Sequence, residues 1–121
     1  MEGRAIEALV VVSESPMNSV RAAEGIRVAL GLITYIDEIG VLFTGDGVWT
    51  FNGLKPEAGS AMANSLEQIG TLLEMEQKVF VDKESCEERA IQPQIEGVEV
   101  ISTNEARKAV RNTKHIVTIG A

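Results

Sequence analysis

Apolar runs rich in β-branched residues recur along the chain at residues 8–12, 39–43, 78–81 and 115–119, with a weaker one at 98–101. The first two are continuous rather than alternating, the pattern of strands covered on both faces. Between the runs the apolar period changes to three and four. Ala23, Ile26, Ala29, Leu30 and Ile33 form one helical stripe, with Arg21, Glu24 and Arg27 facing elsewhere and Asn18 or Ser19 as the candidate N-cap. A second stripe is Ala58, Ala61, Met62, Leu66, Ile69 and Leu73, with Pro56 at a first-turn position. Ser85-Cys86-Glu87-Glu88 and Ser102-Thr103-Asn104-Glu105 both read as capping boxes, in which a serine hydroxyl and a glutamate three residues later satisfy free amides. The third helix is short, ending near Ile91 before Pro93, and the fourth runs from about Thr103 to Asn112. Strand and helix thus alternate throughout. Right-handed crossovers then predict an α/β fold, a three-layer α/β/α sandwich around a five-stranded, mainly parallel sheet.

The chain has 121 residues, enough for one domain spanning 1–121 with a real core. Aromatic residues are only 4%, so that core is expected to be aliphatic. A formal net charge of -7 and the lack of a continuous basic run argue against direct nucleic-acid binding, which needs cations to displace counterions from phosphate. The single cysteine, Cys86, excludes an intramolecular disulfide and suits a reducing compartment. Neither a secretory leader nor a membrane span is recognisable, so a cytoplasmic location is expected. His115 stands apart from any Cys or carboxylate at ligand spacing, so no metal is expected. No phosphate-binding loop, dinucleotide fingerprint or nucleophile elbow is present, and no cofactor is expected.

In a parallel α/β sheet the carboxyl ends of the strands are where ligands bind. The loop 13–19, with Ser15 and Asn18, leads into a helix start whose free amides suit an anion. It lacks the glycine that lets phosphate approach the backbone, and helix capping is the simpler role. The segment 45–51 places Val48, Trp49 and Phe51 among glycines. Such an aromatic loop either folds back over the core or forms a subunit contact. Asp46 within it is a candidate carboxylate, although Asp-Gly is also a turn signal. The segment 82–89 holds Asp82, Ser85, Cys86 and Arg89. With Ser85 as cap, Cys86 falls in the first helical turn, where the dipole, Lys83 and Arg89 favour a thiolate. Glu84, Glu87 and Glu88 oppose them, so the balance describes a half-buried thiol rather than an activated nucleophile.

The opening strand followed by Ser15-Pro16, then Arg21-Ala22-Ala23-Glu24-Gly25-Ile26, then Val41-Leu42-Phe43 running into Asp46-Gly47-Val48, resembles the DsrE/DsrF family of sulfur-relay proteins. Val79-Phe80-Val81, Ser85 and Glu88-Arg89-Ala90-Ile91 are similar to the same family. The Asp46-Gly47-Val48-aromatic loop with Leu54-Lys55-Pro56 looks closest to its DsrF/TusC branch. The resemblance implies an oligomer, homomeric or built with related DsrE- and DsrH-type subunits as a trimer or hexamer. It also implies a role in persulfide transfer, whose downstream pathways are tRNA thiolation and sulfur oxidation. The family's carrier cysteine ends the third strand, a position that falls here on Asp82, which cannot hold sulfane sulfur. Cys86 lies four residues later, about one helical turn, where it would face the same crevice. The family's Arg-Gly ending becomes Arg89-Ala90, which suggests a turn without positive φ. The expected function is therefore a supporting, TusC-like subunit of a sulfur-relay assembly. Its crevice would hold Asp82, Ser85, Arg89, Asp46, Ser15 and Asn18, its interface Val48, Trp49 and Phe51, and any sulfur chemistry would fall to Cys86. The alternatives are a persulfide carrier using Cys86 and a small-ligand-binding or regulatory oligomer.

Overall fold

Five strands, β1 (Ala8–Val12), β2 (Ile39–Phe43), β3 (Lys78–Asp82), β4 (Glu99–Ile101) and β5 (His115–Ile119), form one sheet in the order β4-β3-β2-β1-β5. Every pair is parallel, with Val10 opposite both Val41 and Val117, and Asp82 opposite Ile101. The computed structural model describes residues 6–16, 21–53 and 56–120. The helices are α1 (Arg21–Leu32), α2 (Ala61–Glu74), α3 (Lys83–Glu88) and α4 (Thr103–Asn112), and a 3-10 helix covers Gly45–Phe51.

The strand order explains the layers. From β1 to β4 the chain steps in one direction across the sheet, and it then returns past β1 to add β5 at the far edge. A right-handed crossover in the reversed direction must pass over the opposite face. Accordingly α1 and α2 bury Ile26, Ala29, Ile69 and Leu72 against Val10, Val41, Val79 and Val81 on one face. On the other, α4 brings Ala106, Ala109 and Val110 to Leu9, Leu42 and Phe80. The alternation of strand side chains divides the two sets, and both are aliphatic but for a few Phe rings. Gly25 lets α1 approach closely: a Cβ there would stand 2.8 Å from Ile119 Cγ1.

Three helix starts differ in how far local sequence decided them. Ser102 and Glu105 form the expected capping box on α4, with Ser102 Oγ accepting from Glu105 N at 3.1 Å and Glu105 Oε1 from Ser102 N at 3.1 Å. The second helix does not begin at Pro56. Gly59 turns the chain at φ 83° and Ser60 caps α2 by accepting from Ala63 N at 3.1 Å. The third begins directly after β3 with Asp82 in the cap position, so Ser85 lies inside α3 rather than ahead of it, and α3 ends at Glu88 rather than near Ile91. Asn18 and Ser19, the candidate caps of α1, lie outside the described residues, as do Leu54 and Lys55.

Candidate functional site

At the carboxyl end of the sheet the chain leaves β3 and β4 toward opposite faces. Cys86 and Ile91 join the α1/α2 side, whereas α4 takes the other. Such a divergence opens a crevice between neighbouring strand ends. Asp82 sits in it because side chains alternate: Val79 and Val81 face α1 and α2, so Phe80 and Asp82 face α4.

The Asp82 side chain is buried yet fully engaged. Thr103 Oγ1, in the first turn of α4, donates to Oδ1 at 2.7 Å. Thr44 Oγ1, just beyond β2, donates to Oδ2 at 2.8 Å, and Ser85 Oγ donates to the same oxygen at 3.0 Å. Burial raises the Asp82 pKa, but the hydroxyls of Thr103, Thr44 and Ser85 and the Ser85 amide outweigh it and hold the carboxyl below its ordinary value. Ser85 Oγ also accepts from Gly45 N at 2.9 Å, and Glu84 Oε1 accepts from Thr103 N at 3.0 Å. One carboxylate and its hydroxyls thereby bind together the ends of β2 and β3 and the starts of α3 and α4. Thr44 and Thr103 escaped sequence reading. Thr103 was hidden inside a capping box, and Thr44 carried no signal beyond its place after a strand.

Arg89 supports the same junction from outside. Its Nε and one terminal nitrogen reach Asp46 Oδ1 at 3.2 and 3.1 Å, while the other donates to Ser85 O at 3.1 Å and Glu88 Oε1 at 3.3 Å. Asp46 is exposed and clamps the 3-10 helix to the end of α3, rather than facing Asp82.

Cys86 departs from expectation. It is 3% exposed, within the α1/α2 core, and lines a separate cavity of about 550 Å³ with Asn52, Gly53 and Ile91. The crevice beside Asp82, about 570 Å³, is formed by other residues against α4. The four-residue step does not bring the two side chains together, because α3 carries Cys86 over to the opposite face. Burial, then the charge of Asp82, push the thiol pKa up to about 11; Arg89 opposes this and Glu87 adds to it. The expected turn without positive φ is also corrected: Ala90 has φ 54°. Its amide and that of Arg89 close the end of α3 on Glu87 O and Cys86 O at 3.3 and 3.1 Å.

The aromatic segment folds back on its own protomer. Val48 and Phe51 are buried in the core, and Phe51 meets Phe43 edge-to-face at 5.0 Å, so neither offers a contact surface. Trp49 packs half-buried against the same cluster. Gly47 makes this closure possible, since any Cβ there would collide with the Val12 carbonyl. Ser15 is buried in the loop after β1 and does not line the Asp82 crevice; Asn18 is outside the described residues. His115 is exposed at the amino end of β5, across the sheet from the crevice. Two residues that do line the crevice, Arg107 and Arg111, were not among the sequence candidates. Among the described residues no group of three His, Cys, Asp or Glu is placed to hold a metal ion, and no helix is long and apolar enough to cross a membrane.

The family model described as DsrE/DsrF-like matches residues 7–119. The crystal structure of the ychN protein from E. coli superimposes with a TM-score of 0.78 at 22% identity, covering 94% of this chain and 99% of that one. A conserved protein of unknown function from Bacteroides thetaiotaomicron gives 0.68 at 15% identity, over 93% and 95%. At such identities both show a shared fold and nothing further. No curated protein matches the sequence.

Proposed function

Because the chain belongs to the DsrE/DsrF-like family, we propose that it is a supporting, TusC-like subunit of a sulfur-relay assembly and does not itself carry sulfur. The observation that carries this reading is the end of β3. Asp82 occupies the position expected of a carrier cysteine, and its carboxylate is committed to Thr44, Ser85 and Thr103. Persulfide transfer requires an accessible thiolate that attacks a sulfane sulfur and releases the donor thiolate. Cys86 satisfies neither requirement, being buried with a pKa raised to about 11. Its role is to fill the core between α3 and the sheet.

Intact-mass measurement after incubation with a cysteine desulfurase and cysteine tests the reading. The protein is expected to keep its mass while a known carrier in the same tube gains one sulfur. An added sulfur on native protein, removed by reductant and absent in Cys86→Ser, would overturn it in favour of a Cys86 carrier.

A further inference from the structure

Cations are unevenly placed in this acidic chain. Of eleven Lys and Arg, four fall at Arg107, Lys108, Arg111 and Lys114, where α4 and its exit carry one acid, Glu105. Arg107 and Arg111 are one turn apart and so share a helix face, and both line the crevice beside Asp82. Both are exposed, and neither has a carboxylate within ion-pair distance among the described residues. They are not counter-ions of Asp82, whose carboxylate is held by the hydroxyls of Thr103, Thr44 and Ser85 and by the Ser85 amide. The wall beneath them is apolar, formed by Val11, Leu42, Ala106 and Val110. Two uncommitted guanidinium groups over an aliphatic wall select a molecule with one anionic head and an apolar body. Guanidinium binds planar oxyanions through paired, charge-assisted hydrogen bonds, while the wall accepts hydrocarbon.

We propose that the crevice between α4 and the carboxyl ends of β1–β3 binds a small organic anion, a carboxylate or sulfonate with an apolar body, its head held by Arg107 and Arg111 and its body against Val11, Leu42 and Val110. The Asp82 network forms the closed floor and repels a second anionic group, so dianions with charges at both ends are excluded. The proposal does not depend on the relay reading: a subunit that carries no sulfur and one that does would both present this crevice.

The test is a titration of the full-length, nitrogen-15-labelled protein followed by amide chemical shifts, using hexanoate, hexanesulfonate and 1-hexanol as probes. The two anions are expected to give saturable shifts centred on Val11, Leu42, Ala106 and Val110. Whichever binds tighter identifies the head group. Hexanol should bind about tenfold more weakly, and Arg107→Gln and Arg111→Gln should each weaken hexanoate about tenfold, the effect of one lost charge-assisted hydrogen bond. Lys108→Gln, on the same helix but outside the crevice, should change affinity less than about twofold, allowing for screened long-range attraction. The spectra report directly whether each variant is folded. The proposal is overturned by the absence of saturable shifts, by equal binding of hexanol, by arginine variants that bind as well as wild type, by a Lys108→Gln loss as large as theirs, or by shifts clustered around Cys86.

Discussion

Ala90 holds a left-handed backbone, φ 54°, where its Cβ crowds the following carbonyl. Ala90→Gly removes that crowding, and stabilisation by about 1 kcal/mol is expected, a rise in melting temperature of about 4 °C by scanning calorimetry. An unchanged or lower transition would show that the turn is relaxed. From the sequence, alanine here argued for an ordinary turn, because a single residue type reports preference and not the actual dihedral. The amides of Arg89, Ala90 and Ile91, bonded to Cys86 O and Glu87 O, hold the turn at a cost that local preference would avoid. For Cys86 the opposing charges of its neighbours point to a half-buried thiol rather than an activated nucleophile, but the largest cause of its raised pKa is burial, which depends on which face α3 covers.

The β3–α3 junction has no loop, and Asp82 is both the last strand residue and the residue in the cap position of α3. Its carboxyl titrates below the ordinary value in the folded state, so it stabilises the fold above the unfolded pKa, and this contribution is lost as pH falls through the folded one. Urea midpoints measured from about pH 7 down to pH 2 are therefore expected to fall more steeply for wild type than for Asp82→Asn, which lacks that titration. Parallel curves would refute the assignment. At pH 7, Asp82→Ala should cost about 3 kcal/mol, because Thr44, Ser85 and Thr103 lose their shared acceptor. The two serine boxes show why one helix start was legible and the other was not. Ser102 and Glu105 complete their bonds within four residues, whereas Ser85 is taken by Gly45 N and Asp82 from elsewhere in the fold. Pro56 failed similarly, since Gly59 and Ser60 offered a better cap three residues on.

Alternating strand and helix patterns were sufficient to read the α/β class and the parallel sheet, because each element carries its own period. The order β4-β3-β2-β1-β5 is not local information: it arises from the return of the chain past β1. That return places α4 over Leu9, Leu42 and Phe80 and so builds the Asp82 crevice, which explains why Thr44, Thr103, Arg107 and Arg111 were missed together. Subunit assembly, expected of the family, must then use surfaces other than Val48 and Phe51, which the core has consumed. Light scattering on the purified protein is expected to give a multiple of the 13.0 kDa chain mass, alone or with DsrE- and DsrH-type subunits. A strictly monomeric mass at high concentration with such partners present would remove the assembly role. Trp49→Ala is expected to lower the assembled mass, with circular dichroism confirming that the half-buried site still folds.

The burial of Cys86 also has a use at the bench: the native chain is expected to take up no maleimide dye, as mass spectrometry would show. With its sulfur enclosed and its pKa near 11, the thiol offers almost no reactive thiolate to a maleimide dye at neutral pH. A single cysteine introduced on the surface of α4 or α2 would accept a fluorophore alone, without first removing a side chain on which the core depends. With Trp49, the chain's one tryptophan, as donor and that fluorophore on α4 as acceptor, movements of α4 over the sheet become measurable as changes in energy transfer.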